Sequence, residues 1–164
     1  MAEQYNPQGQ SQWLFVTTIA NPATPTVAEL AAGVILGGAL LTPKSPMRKA
    51  NSIESTPVTA SSTHTLPALA GTDNAELTMQ RGDKSTADTY DLFNTMKAKE
   101  GDTGWLVHAP RGTADGLVAG GVVDVWPAYV NTVSIANTAP GQAGTWTIAF
   151  THDGDFHENV LIAA

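Results

Sequence analysis

The chain has 164 residues, enough for one domain with a buried core, yet only 14% of them are charged. That share lies well below the roughly 25% of an ordinary soluble protein, the pattern expected of a surface that partners partly cover. A formal net charge of −7 excludes an electrostatic nucleic-acid binder, and the lack of cysteine excludes a disulfide framework or a thiolate metal site.

Residues 1–12 are polar and rich in Gln, Asn, Pro and Gly, the composition of a flexible arm. They carry no basic region followed by an apolar one, and no apolar run in the chain approaches the roughly 18 residues of a membrane span, so a soluble protein made in the cytoplasm is expected. "QWLFVTTI" has the aromatic and β-branched composition of a strand. In "NPATPTVAELAAG", Thr26 and Glu29 stand at capping-box spacing, where each side chain satisfies a backbone donor of the first turn. Gly33 suits the left-handed residue that ends a helix, so a short helical turn is expected over about 26–32. "VILGGALL", residues 34–41, reads as a buried strand bent at Gly37 and Gly38.

From Thr42 to Pro67 the composition turns to Ser, Thr and Pro. A structureless loop of that length is uncommon in a compact domain, so it is expected to be mobile or ordered by something outside the subunit. The alternation of Ile53 and Ser55, then Val58 and Ala60, also permits an extended hairpin. Lys44, Arg48 and Lys49 form the concentrated basic cluster of the chain, either a solvated loop face or a contact with an acidic neighbour.

"AELTMQR" alternates Leu77 and Met79 with polar residues and reads as a strand. "STADTYDLFNTMKAKEG" predicts a helix over about 85–99. Ser85 can cap it, Asp88 and Asp91 favour its positive end, Lys97 and Lys99 its negative end, and Gly101 stops it. Tyr90, Phe93 and Met96, with Leu92, form a stripe for packing on a sheet. "GWLVHAP" and "GVVDVWPAYV" are expected to be neighbouring core strands joined through "PRGTADGLVAGG", with "VNTVSIAN" following. "GTWTIAF" alternates strictly, implying one buried and one polar face. Asp153, Gly154 and Asp155 then read as a three-residue hairpin loop pairing Trp146 with Ile162 and Ile148 with Val160. The fold expected is mainly β, a β-sandwich or barrel of two packed antiparallel sheets with one flanking helix.

Chemistry-bearing patterns are sparse. His152, Asp153, Asp155, His157 and Glu158 are the dense set of metal-capable side chains, but side chains on a hairpin diverge, so the turn explains them better than an ion does. No Gly-x-Ser-x-Gly elbow or phosphate loop occurs, and no catalytic residue, metal or cofactor is assigned. Arg81, Gly82 and Asp83 spell an adhesion tripeptide, better read as a strand-to-helix spacer. His64 and His108 are read as structural. Trp105 and Trp126 could form an aromatic platform for a carbohydrate, yet both sit in apolar runs that suit a core.

In the order of its elements the chain resembles the major tail tube proteins of long-tailed bacteriophages. The resemblance runs from about Trp13 to Ile162: "NPATPTVAELAAG", the helix "STADTYDLFNTMKAKEG" between two sets of strands, "GWLVHAPRG" before "GGVVDVWPAYV", and "GTWTIAFTHDGDFHENVLI". Many relatives begin the strand after the Arg-Gly loop with Gly-Asp; here Gly120 and Gly121 stand there and the acid is Asp124. The resemblance implies a structural, non-enzymatic virion protein whose homohexameric rings stack into a tube through which DNA is ejected without specific binding. It implies a single tail-tube domain over 1–164 with 42–67 as an inter-subunit loop, and tape measure, terminator and distal tail proteins as partners. Lys44, Arg48, Lys49 and Arg111 are then candidate contacts between subunits or rings, and the bore is expected to be acidic. Other tube-fold components, a capsid decoration protein or a carbohydrate-binding β-sandwich are the alternatives.

Overall fold

A computed structural model describes residues 11–50, 52–55, 64–67, 71–81, 87–110, 117–136 and 144–164, without the side chains of 52–55, 64–67 and 87–90. The fold is mainly antiparallel β, and the strand-forming sequences act as their patterns require. β1 (Gln12–Val16), β9 (Thr103–Ala109), β10 (Val122–Ile135) and β11 (Thr145–Thr151) form the centre of an eight-stranded sheet. β2 (Val34–Ile35) lies beyond β1 at one end. At the other end come β8 (Glu76–Gln80) and then β3 (Leu40–Lys44), while β12 (His157–Leu161) pairs with β10. Pro43 sits in β3, the edge strand, where a missing backbone donor is tolerated.

The sheet is strongly curved. Phe15 of β1 and Phe150 of β11 have ring centroids 6.0 Å apart, although a flat sheet would separate strands three steps apart by about 14 Å. The concave face encloses Trp13, Phe15, Leu77, Met79, Leu106, Trp126, Trp146, Ile148 and Phe150, and the curl stops short of a closed barrel. The strict alternation of β11 is realised: Trp146, Ile148 and Phe150 are buried in turn, and the residues between them are half-exposed. The helix α2 (Ala87–Lys97) covers this core, with Met96 buried and Phe93 edge-on to Trp146 at 5.3 Å. Its end is anchored to β10 by Lys97 Nζ, which donates to the Val133 carbonyl at 3.0 Å, and by the Val133 N–H, which donates to Glu100. Gly101 (φ 91) turns the chain out of the helix as expected. Ser85 and the start of that helix lie outside the described residues.

On the opposite face of β1, β9 and the first half of β10, Leu14, Val16, Val107, Val123 and Val125 form a second core under α1 (Val27–Ala31) and Ile162. The capping box is present: Thr26 Oγ1 accepts from the Glu29 N–H, and Glu29 Oε2 accepts from the Thr26 N–H at 2.8 Å. Gly33 is absent from the residues with positive φ. Its value is closeness: a Cβ there would meet Val16 Cγ2 at 2.8 Å.

Three further expectations are corrected. Residues 34–41 are not one buried strand: Val34–Ile35 pairs with β1, Gly37–Ala39 forms a 3-10 turn, β3 starts at Leu40, and Ile35 and Leu41 are exposed. "VNTVSIAN" is the second half of β10, continuous with "GVVDVWPAYV" through a bulge between Val130 and Thr132. The Asp-Gly-Asp segment is not a hairpin turn, because β12 pairs with β10 (Val123 opposite Val160, Val125 opposite His157) rather than with β11. β11 and β12 run one after the other along β10, since Thr151 faces Tyr129 and His157 faces Val125. Between those pairs the β11–β12 side spends more residues than β10, so the excess at Asp153–Asp155 bulges outward. Pro127 of β10 lies at that gap and brings a carbonyl but no N–H to the ladder, which is why pairing lapses there.

Candidate assembly surface

The described residues between 40 and 80 pair as an extended two-stranded arm, but the return strand is His64–Pro67 and not the Val58–Ala60 alternation, which lies outside the described residues. β3 pairs with β8 at its root, β4 (Met47–Lys49) with β7 (Gly71–Asp73) further out, and β5 (Ser52–Ser55) with β6 (His64–Pro67) beyond that. The registers are nested: Lys44 opposite Glu76, Lys49 opposite Gly71, Ser55 opposite His64. The cross-strand partners lie so far apart in sequence that no short-range signal reveals them.

The basic cluster lies on this arm. Lys49 Nζ is 2.9 Å from Asp73 Oδ1, Arg48 stacks its guanidinium 5.4 Å above the Phe156 ring, and Lys44 stands across from Glu76. Two of the three cations thus have partners within the chain. The Lys49 pair is exposed and worth little by itself. Arg111 lies outside the described residues, as do residues 1–10 and the Gly-Asp of the Arg81 tripeptide.

The arm's base is fastened to the body at the bulge after β11. Thr72 Oγ1 donates to the His152 carbonyl at 3.2 Å, and Arg48 covers Phe156. His152 is buried. Its Nδ1 lies 2.7 Å from the Pro127 carbonyl, an acceptor only, so Nδ1 carries the proton. Its Nε2 is buried with no hydrogen-bond partner among the described residues. Burial pushes the imidazole's pKa down, against the smaller upward pull of the Pro127 carbonyl. The ring is therefore a neutral packing element between Phe150 and Phe156. Asp153 and Asp155 are exposed, and the described residues hold no cluster of three metal-capable side chains.

His108, read from sequence as structural, has partners. It faces Asp124 directly in the β9–β10 register, with Nδ1 3.4 Å from Oδ2, and stacks on Trp13 at 4.5 Å and on Trp126 at 6.2 Å. Burial raises the Asp124 pKa, but the His108 hydrogen bond, the Asn159 N–H and the His108 charge together outweigh it and hold the carboxyl below its ordinary value. The long connection between the two strands hides this pairing from sequence. Trp126 belongs to the concave core, and Trp105 is half-buried on the opposite face, so they do not form one platform.

Most apolar side chains left exposed lie at the margins, apart from Tyr129 in the middle of β10 and Ile135 at its end. Leu41 and Met47 lie on the arm, Ile35 on the terminal strand β2, and Val122 faces Leu161 across the β10–β12 pair near Val118. Exposed apolar groups beside unpaired strand edges mark surfaces that another protein covers. Among the described residues no helix is long and apolar enough to cross a membrane.

No curated protein matches the sequence. The fold is shared with a chain in the cryo-EM structure of the six-fold symmetrised anti-feeding prophage baseplate, at TM-score 0.58 and 10% identity over 95% of each chain. It is likewise shared with a chain in the extended-state sheath/tube terminator of the PVC extracellular contractile injection system, at TM-score 0.57 and 9% identity over 94% of this chain and 96% of that one. A chain in the virion of a native gene transfer agent particle is similar at TM-score 0.48 and 12% identity. Over residues 1–164 the sequence matches the family described as phage tail tube protein, and the chain belongs to that family.

Proposed function

We propose that this chain is the repeating, non-enzymatic subunit of a long-tailed phage tail tube. Homohexameric rings of it stack into a hollow shaft that conducts DNA at ejection, and residues 1–164 act as one assembly unit that meets tape measure, terminator and distal tail proteins. The observation that carries the reading is the two-stranded arm rising from β3 and β8 beside an open sheet. Among the described residues nothing packs against the exposed Leu41 and Met47, and a neighbouring ring would cover them. Lys44, Arg48, Lys49 and Arg111 are proposed as contacts at those joints. The six-fold symmetry stated for the similar baseplate supports the ring order.

Negative-stain imaging of the concentrated purified protein tests the reading. Long flexible tubes formed without a sheath are expected. Isolated closed rings would instead favour a terminator, the role named for one similar fold. A stable monomer would favour a decoration or carbohydrate-binding module.

A further inference from the structure

One face of the main sheet is lined by neither core and covered by no helix among the described residues: the convex side of β3, β8, β11 and the second half of β10. Its residues follow from the registers, because they alternate with the buried Leu77, Met79, Ile148 and Val133. Thr42 faces Thr78, Thr78 faces Thr147, and Thr147 faces Ser134, a row of four hydroxyls across four strands. The next row is Lys44, Glu76, Ala149 and Thr132, in which the single cation and single anion oppose each other. These two rows carry no net charge, although the chain carries −7.

A protein-docking surface centres on aromatic and aliphatic anchors. These two rows hold none; one exposed aromatic, Tyr129, stands on the same face in the following row opposite Thr151, whereas Ile35, Leu41, Met47, Val118, Val122, Ile135 and Leu161 lie outside the two rows. Accepting the tube assembly proposed above, we infer that this face lines the passage, and that the passage is hydroxyl-lined and near neutral there rather than acidic. The occupant is duplex DNA in transit. A row of Thr and Ser gives phosphates no fixed cations to bind and hence no counterions to release, so nothing holds the polymer in place. The regular spacing of short side chains on a sheet leaves the wall smooth, and the cross-strand Thr pairs stabilise the wall itself. The acidity of the chain then belongs to other surfaces, including Asp91, Asp153, Asp155 and Glu158, all of which are exposed.

The chain contains no cysteine, so single substitutions report position cleanly. Thr147→Cys and, as a second variant, Ser134→Cys are compared with Asn94→Cys on the exposed side of α2, in assembled tubes and in unassembled protein. In tubes, positions 147 and 134 are expected to react with a small maleimide and to lose reaction with a protein-sized maleimide conjugate, whereas position 94 reacts with both. All three react with both reagents before assembly. Reaction of 147 and 134 with the bulky conjugate in tubes would overturn the inference by placing the face outside. Loss of reaction with both reagents would overturn it by placing the face in a subunit contact. Failure of the unsubstituted chain to form tubes overturns the assembly reading, a result distinct from either labelling pattern.

Discussion

At Gly104, near the start of β9, an added Cβ would stand 2.6 Å from the Val16 carbonyl oxygen and 2.8 Å from the Phe15 ring. Backbone cannot retreat as a flexible side chain can, so Gly104→Ala is expected to destabilise the fold by about 1–3 kcal/mol, measured as a lowered urea midpoint with unchanged m. An unchanged midpoint would show that β1 and β9 are less tightly joined than their geometry implies. His152 makes a prediction in pH. Its folded pKa is depressed by burial, so the unfolded state binds the proton more readily, and the native state loses stability as pH falls through the ordinary histidine value of about 6.5. The carboxyls of Glu29, Glu100 and Asp124 are held below their ordinary values, so the stability they contribute is present throughout this range and is lost only at lower pH, as pH falls below the ordinary carboxyl value. Between about pH 7.5 and pH 5.5, the wild type is therefore expected to lose more stability than His152→Gln, whose side chain does not titrate. Equal losses would show that His152 takes its proton without cost.

Among the elements, those governed by neighbours in sequence were legible in advance: the capping box at Thr26 and Glu29, the stop at Gly101, the alternation of β8 and β11. The elements that were misread depend on partners far along the chain. "HDGDF" has hairpin chemistry, yet the Pro127 carbonyl and the long β10 draw β12 away from β11. The loop from Thr42 to Pro67 showed its composition but not its pairing, which matches Lys44 with Glu76 and Lys49 with Gly71. That pairing defines a clean test of the arm. Replacing residues 50–70 with Asn-Gly joins Lys49 to Gly71 through a two-residue turn and leaves the β4–β7 ladder intact. The shortened chain is expected to fold, with a cooperative urea transition and a far-ultraviolet strand signature reduced only by the loss of β5 and β6, and to stop short of long tubes. Tubes of normal length would remove the arm from any role between rings.

For the whole molecule, sequence conveyed the class and the order of elements, and hence the resemblance to tail tube proteins. It could not convey the curl of the sheet, which is visible only when Phe15 meets Phe150 across strands that are not adjacent. Nor could it say which polar residues share the uncovered face, because that depends on four registers at once. Curvature, arm and uncovered face together suit a ring subunit: a core on the concave side, a helix over that core, a largely polar face with Tyr129 on the convex side, and further exposed apolar groups at the edges. The most direct measurement is a helical reconstruction of tubes grown from the purified chain. Six copies per ring are expected, with Thr42, Thr78, Thr147 and Ser134 facing the central passage and the arm crossing to the next ring. A tube with those residues on its outer surface, or a protein that stays monomeric at high concentration, would contradict the account.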